Sequence, residues 1–250
     1  MTVEAPNLTA GKPLTEFGEI PDPLNIAVLI SNKGSGTNLQ AIIDAGFNVP
    51  LVISDQPDAQ GLQRAEKHGI HNETMELVYP EETTPEEKKR IRDKYGEILA
   101  EHLNQNGIHV VVLAGFMTFL SKSFFDTFQG VAINIHPGVL PDENGNPLKF
   151  PNGKDAPSNK GKATQNAVSL FVPYGYAGST VHIATVDVDS GPVVERTEFI
   201  EFSPEDYLDK GKRLYDEKLK PAEHKALIRA LKNWKRIFEI AGKPLSKYER

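Results

Sequence analysis

The chain contains no cysteine. Disulfide scaffolds, thiolate metal sites and cysteine nucleophiles are thereby excluded. Long apolar runs are missing as well: the longest, Val110 to Leu120, is broken by Gly115 and Thr118 and falls short of the roughly 20 residues needed to span a bilayer. Met1 to Pro21 has three acidic residues and no apolar core, so it does not read as a secretory signal. The expectation is a soluble, cytoplasmic protein with no membrane partner. Gly and Pro, 20 and 18 of 250 residues, stay below low-complexity levels, and 39% hydrophobic with 25% charged residues is ordinary globular composition. Disorder, collagen and coiled coil are excluded for the chain as a whole, and the length suits one large domain.

The net charge of −6 argues against a nucleic-acid partner. It is unevenly spread, because Ser203 to Arg250 holds thirteen Lys/Arg against eight Asp/Glu. A solvated basic helix face explains most of these cations, leaving one or two for an anionic ligand.

Four prolines precede the first strand pattern, so residues 1–24 read as an amino-terminal arm. An α/β rhythm follows. Asn25 to Ile30, Val49 to Ser54, Thr74 to Val78, His109 to Leu113 and Val131 to Ile135 read as strands. Asn38 to Ala45, Gln60 to His68, Thr84 to about Leu103 and Lys122 to Phe128 read as helices. Thr84 is a plausible N-cap with Pro85 at the first helical position and acidic residues in the first turn. Recurring strand–helix–strand units imply right-handed crossovers and a doubly wound, mostly parallel sheet flanked by helices. Pro141 to Lys162, with four Pro, three Gly and four Asn, reads as a long polar loop. After a helix over Ala163 to Leu170, the stretches Ser179 to Thr185 and Val193 to Phe202 alternate as strands and supply an antiparallel strand. Ser203 opens a second helix start of the Thr84 type, and Pro221 restarts a helix ending near Gly242. The expected organisation is one domain over 25–242 with an inserted loop at 141–162, and a tail at 243–250.

Three segments carry candidate chemistry. Ser31 to Asn38 (SNKGSGTN) joins a buried strand to a helix, where small residues let backbone N–H groups approach an anion at the positive helix end. A tight capped turn is the alternative. Asn134-Ile135-His136-Pro137 lies at a strand carboxyl end, where open α/β sheets bind ligands, with Asn134 and His136 on the same side. An imidazole suits proton transfer near neutrality, and a carboxamide suits donation to an oxyanion; the alternative is a histidine and an asparagine that satisfy backbone groups at a strand end. Thr185 to Pro192 (TVDVDSGP) is a turn in which Asp187 or Asp189 either serves local turn bonds or pairs with a histidine on a neighbouring strand. No ligand spacing for a metal and no G-x-S-x-G elbow occurs.

These segments, with Val111 to Met117 (VVLAGFM), Leu140-Pro141 and Thr180-Val-His182, resemble in order and position the phosphoribosylglycinamide formyltransferases, or glycinamide ribonucleotide transformylases, over roughly Asn25 to Leu231. The resemblance implies formyl transfer from 10-formyltetrahydrofolate to glycinamide ribonucleotide, a step of purine biosynthesis. Asn134, His136 and Asp189 would be the catalytic trio, with Asp189 holding His136 as the cation. It implies nucleotide contacts from Gly36, Thr37, Asn38, Lys220 and Glu223. The folate, a formyl-donating co-substrate, would lie against Leu113, Phe116, Met117, Thr185, Val186 and Asp187, and no metal is implied. The chain departs from the family in two extra residues before Gly36, in Thr118 where bacterial members carry arginine, and in a 141–162 loop without histidine. The competing readings are a formyltransferase acting on an amino sugar nucleotide, a hydrolase of the same folate, and a non-catalytic folate- or nucleotide-binding module. A dinucleotide oxidoreductase is disfavoured by the broken G-x-G-x-x-G pattern. Small-molecule substrates are the expected partners, and both monomer and homodimer suit the sequence.

Overall fold

Ile26–Ile30 (IAVLI) carries no charge and alternates nothing, which is the pattern of a strand covered on both faces, and no residue of it is more than 2% exposed. This strand, β1, lies in the interior of the sheet in the computed structural model, which describes residues 24–31, 36–162, 164–207 and 211–243. Residues 1–23 of the arm, residues 32–35 of the glycine loop, residues 163 and 208–210, and the tail beyond 243 lie outside the described residues.

The sheet has seven strands. They are β1, β2 (Leu51–Ser54), β3 (His71–Thr74), β4 (Val110–Leu113), β5 (Val131–His136), β7 (Thr180–Ile183) and β8 (Val193–Arg196), in the order β3-β2-β1-β4-β5-β7-β8. The first five pair in parallel and the last two join antiparallel, as a mostly parallel doubly wound sheet requires. A separate two-stranded sheet pairs β6 (Tyr176–Ala177) with β9 (Ile200–Glu201).

Alternate residues of β1 feed opposite cores. Ile26, Val28 and Ile30 pack with Leu39 and Ile42 of α1 (Thr37–Asp44), Ala65 of α2 (Gln60–Lys67), Leu227 and Leu231 of α6 (Lys220–Lys232) and Phe238 of α7 (Trp234–Ile240). Ala27 and Leu29 face Leu99 and Leu103 of α3 (Pro85–Gln105) and Phe124 of α4 (Lys122–Thr127). The start of α3 is fixed locally by a capping box: Glu87 N–H donates to Thr84 Oγ1 (3.3 Å) and Thr84 N–H donates to the Glu87 carboxylate (2.9 Å).

Four expectations are corrected. The third strand is His71–Thr74 rather than Thr74 to Val78; this edge strand is polar and held by pairing with β2, while Val78 is 65% exposed. Val193 to Phe202 is two strands in two sheets, since the Thr197 N–H donates to Ser179 O and the chain then turns to pair with β6. Among the described residues the Ser203 start opens as a 3-10 turn, Pro204–Tyr207, rather than as an α-helix. Finally, Pro221 does not interrupt the helix: a π-helical turn, Leu214–Leu219, runs directly into α6, with the proline in its first turn.

The 141–162 loop is long, as expected, but it is not a surface excursion. Phe150, Ala156 and Asn159 are buried, and α5 (Thr164–Ser169) follows. Phe150 packs its ring 5.1–6.1 Å from those of Phe171, Tyr174, Tyr176 and Phe199, building a third core under the small sheet.

One buried histidine sets a pH dependence. His109 accepts the Asn25 backbone N–H at Nδ1 (3.0 Å), and burial pushes its pKa down to about 4. The unfolded chain therefore binds a proton that the fold refuses. Stability is complete above the unfolded value and falls as pH drops toward the folded one, by about 2 kcal/mol at about pH 5 from this group alone. Urea unfolding at about pH 7 and about pH 5 should show that loss, and His109→Gln should shrink it; equal stability at both would contradict this reading.

Candidate active site

Asn134 and His136 end β5 at the carboxyl edge of the sheet. Antiparallel register sets Asn134 opposite His182 and His136 opposite Thr180 on β7. The loop after β7 then returns Asp189, held at φ +50°, a conformation that aspartate tolerates better than most residues. Its carboxylate is the hub of the site. Asn134 Nδ2 donates to Oδ1 (3.2 Å), His182 Nε2 lies 3.3 Å from Oδ1 and His136 Nδ1 lies 3.3 Å from Oδ2. The Gly161 backbone N–H donates to Oδ2 (2.9 Å). The expected trio is thus brought together, and Asp189 rather than the exposed Asp187 faces the histidine.

Burial works to raise the Asp189 pKa, but the His182 hydrogen bond, the nearby His136 ring and the Gly161 N–H outweigh it and hold the group below the usual carboxylate range. For His136 the balance goes the other way. Burial pushes its pKa below 6.5, and the pull of Asp189 does not make up the difference. Both ring nitrogens nevertheless face acceptors, the Asn159 carbonyl at Nε2 and the Asp189 carboxylate at Nδ1, so geometry favours the proton that burial disfavours.

The closure comes from the inserted loop. His136 Nε2 lies 3.0 Å from the Asn159 carbonyl, and the His136 and Asp189 side chains are only 4% and 6% exposed. Gly138 makes the approach possible, because a Cβ there would sit 2.5 Å from both Asn159 Cβ and His136 Nε2. Asn159 is anchored by its Nδ2 donating to Ala167 O (2.7 Å), and its Oδ1 is buried without a hydrogen bond. Residues 159–161 form a cap over the trio.

At the other end of the site, Gly36 caps α1 at φ +68°. A Cβ there would meet Gly61 Cα at 2.9 Å and Arg64 Nε at 3.2 Å, so the Arg64 side chain packs against the positive end of α1, beside Thr37 and Asn38. Lys220 and Glu223 lie on α6, both engaged. Lys220 Nζ pairs with Asp216 (2.5 Å) over the Tyr215 ring, and Glu223 accepts from Ser179 Oγ (2.7 Å) and Tyr215 OH (3.1 Å). Burial raises the Glu223 pKa to about 7, against both hydrogen bonds. Neither oxygen of Glu223 is open to a ligand in this arrangement.

The third group is divided between the β4 carboxyl end and the loop after β7. Leu113 pairs in register with Asn134, and Leu113 and Phe116 pack against the core on the α3–α4 side of the sheet. Met117, Val186, Thr185 and Asp187 are exposed, Met117 and Val186 at 49% and 50%. Thr118 is tied to the buried Asp55 by its N–H (3.1 Å) and hydroxyl (2.9 Å). Among the described residues no group of three or more His, Asp or Glu is placed to hold a metal ion, and no helix is long and apolar enough to cross a membrane.

Sequence reasoning named His182 within the Thr180-Val-His182 segment without giving it a role, and passed over Asn159, Gly161, Arg64, Ser179 and Tyr215. His182 had a signal, since it stands opposite Asn134 once the β5–β7 register is known; the others emerge only from the folded contacts.

The family model described as formyl transferase matches residues 24–231. Phosphoribosylglycinamide formyltransferase of Escherichia coli (strain K12) is 34% identical over 177 residues, covering 68% of this chain and 70% of that protein. The enzyme of the same name from Dictyostelium discoideum is 30% identical over 220 residues, covering 83% and 96%. Against the trifunctional purine biosynthetic protein adenosine-3 of Gallus gallus the chain spans only 18% of the relative's length. The crystal structure of glycinamide ribonucleotide transformylase 1 from Symbiobacterium toebii superposes with a TM-score of 0.63 at 30% identity, covering 88% of each chain. With a family match running from the edge of β1 through most of α6, and relatives at this identity over most of their own length, the chain belongs to the formyl transferase family.

Proposed function

We propose that the chain transfers the formyl group of 10-formyltetrahydrofolate to the amine of glycinamide ribonucleotide, as one cytoplasmic domain over residues 25–242 acting on small molecules. The observation that carries this reading is Asp189 held between Asn134, His136 and His182 at the sheet edge. The names of the relatives supply the acceptor.

Bound formyl folate would supply an electrophilic carbonyl carbon, whose oxygen takes up the negative charge when the amine adds to the carbon. Leu113, Phe116, Met117 and Val186 offer apolar surface that fits its flat ring. The Asp189 carboxylate, ionised at neutral pH, accepts the proton released by the attacking amine. A protonated His136 donates to the oxyanion and then to the leaving nitrogen, so no covalent enzyme intermediate is needed. Gly36, Thr37 and Asn38 at the start of α1 receive the nucleotide phosphate, with Lys220 as a further cation. Glu223 reaches the ribose hydroxyls by exchanging its bonds to Ser179 and Tyr215 for bonds to the sugar.

The cap matters to this chemistry. An amine reaches His136 only after the Asn159 carbonyl withdraws, and that movement returns water to the ring. The burial that depresses its pKa is then relieved, while the pull of Asp189 remains. Opening therefore makes His136 easier to protonate when it is needed as an acid.

The acceptor is tested by offering the purified protein 10-formyltetrahydrofolate with glycinamide ribonucleotide, an amino sugar nucleotide or no acceptor. Formylated glycinamide ribonucleotide is the expected product. Product with the amino sugar alone would reassign the acceptor, and binding of both ligands without turnover would make the chain a binding module.

A further inference from the structure

Asp55 is a buried carboxylate to which the reaction above gives no part. It follows β2 directly and continues the pairing of β2 with β1, its N–H donating to Ile30 O (3.2 Å). The turn after it is locked by Ser54, whose Oγ accepts the Gln56 N–H (3.0 Å) and donates to Gln56 O (2.6 Å). What the carboxylate meets is the turn that carries Phe116 and Met117. Its Oδ2 accepts both the N–H (3.1 Å) and the hydroxyl (2.9 Å) of Thr118. Ser31, the first residue after β1, acts one residue earlier, its Oγ accepting the Met117 N–H (2.8 Å). With Ala114 N–H donating to Leu29 O (2.9 Å), the chain after β4 is laced back across the ends of β1 and β2, reversing at Gly115 with φ +77°. Its own side chains anchor it poorly, since Met117 and Phe119 are 49% and 61% exposed. Bonds to two buried side chains therefore decide where this turn lies.

A residue kept only for packing would not bring a carboxyl group here. Oδ1 of Asp55 is buried with no hydrogen bond among the described residues. The group also adds to the burial that pushes up the pKa of Tyr95, whose hydroxyl donates to Met75 O (2.9 Å) instead. A local cost of this kind at the carboxyl edge of the sheet marks a functional position. We propose that Asp55 is a positioning residue for the formyl donor: by holding Thr118 it fixes where Phe116 and Met117 meet the folate. This role rests on the formyl-transfer reading. Leu113, the last residue before the turn, pairs in register with Asn134, so the turn opens directly beside the trio. Asp55 itself stands three strands away from Asn134 in the sheet order, roughly 14 Å at the usual strand spacing, too far to pass a proton to the trio. Its loss belongs in the binding of the folate and not in the chemical step.

Asp55→Ala removes both bonds to Thr118, Asp55→Asn keeps an oxygen that can accept them, and Thr118→Val removes the hydroxyl alone. The expected result for Asp55→Ala is a KM for 10-formyltetrahydrofolate higher by about 10-fold, with kcat and the KM for glycinamide ribonucleotide within about twofold of wild type. Asp55→Asn should recover most of the loss, and Thr118→Val should raise the folate KM by about threefold. In the double variant the two losses should not multiply, because they share one bond. Amide exchange should be faster at Thr118 in Asp55→Ala, restored in Asp55→Asn, and unchanged at Ala114. Melting curves establish that each variant is folded, and Thr118→Val carries the test if Asp55→Ala is not. An unchanged folate KM, equal rises in both KM values, or fully multiplying losses in a wild type that transfers formyl would overturn the Asp55 proposal alone. A wild type that neither binds nor uses 10-formyltetrahydrofolate would defeat the functional reading and this role with it.

Discussion

Replacing Asp189 by asparagine is expected to lower kcat by about 10³-fold, within the range of lost general acid–base catalysis, while leaving nucleotide and folate affinity nearly unchanged. The substitution preserves shape and tolerates the left-handed backbone at φ +50°. What it removes is charge and acceptors. Asp189 accepts from Asn134 and from the Gly161 N–H and faces both His136 and His182. An amide offers one oxygen where the carboxylate offered two, so a donor on one side is left facing an NH2 group. It also has no basic site for the amine proton. Because the carboxylate pKa is depressed in the fold, its stabilising share is present above the usual aspartate range and lost as pH falls through the folded value. The variant should lack that share at neutral pH. Steady-state kinetics with melting curves at neutral pH check both parts; turnover within a few-fold of wild type would remove Asp189 from the chemistry.

His136→Ala is expected to cost about 10²–10³-fold in turnover, the loss typical of an oxyanion donor, with the nucleotide still bound. Its second consequence concerns the cap. The Asn159 carbonyl rests on His136 Nε2, so without the ring the Gly161 amide should exchange faster with solvent. Added imidazole, entering the space left by the ring, should restore part of the turnover. Kinetics with and without imidazole, together with amide exchange at Gly161, test this. Full activity without the ring would end the proposed mechanism, and unchanged exchange would separate the cap from the histidine.

The fold was legible wherever local chemistry decides. The uncharged run Ile26–Ile30 declares a buried strand, and Thr84, Pro85 and Glu87 declare a helix start that the structure shows as a full capping box. Edge elements were not. The polar His71–Thr74 forms because β2 offers a partner, and nothing in its own sequence says so. The site divides the same way. Asn134 and His136 are read from one strand end, and resemblance chooses Asp189 over Asp187. The cap over His136 depends on contacts across 23 and 28 residues of sequence, and Glu223 meets Ser179 across 44. Proline, glycine and asparagine content marked 141–162 as a loop, yet Phe150 and Asn159 are what turn it inward. The depressed pKa of His136 was invisible for the same reason, since burial by a distant segment produces it.

Direct transfer is tested most plainly by following the formyl carbon. Rapid quenching of the protein with formyl-labelled 10-formyltetrahydrofolate and glycinamide ribonucleotide should place the label on the ribonucleotide product, with none on the protein at any time and little as formate. Label accumulating on the protein before product, or released as formate whether or not the ribonucleotide is present, would contradict direct attack organised by Asn134, His136 and Asp189.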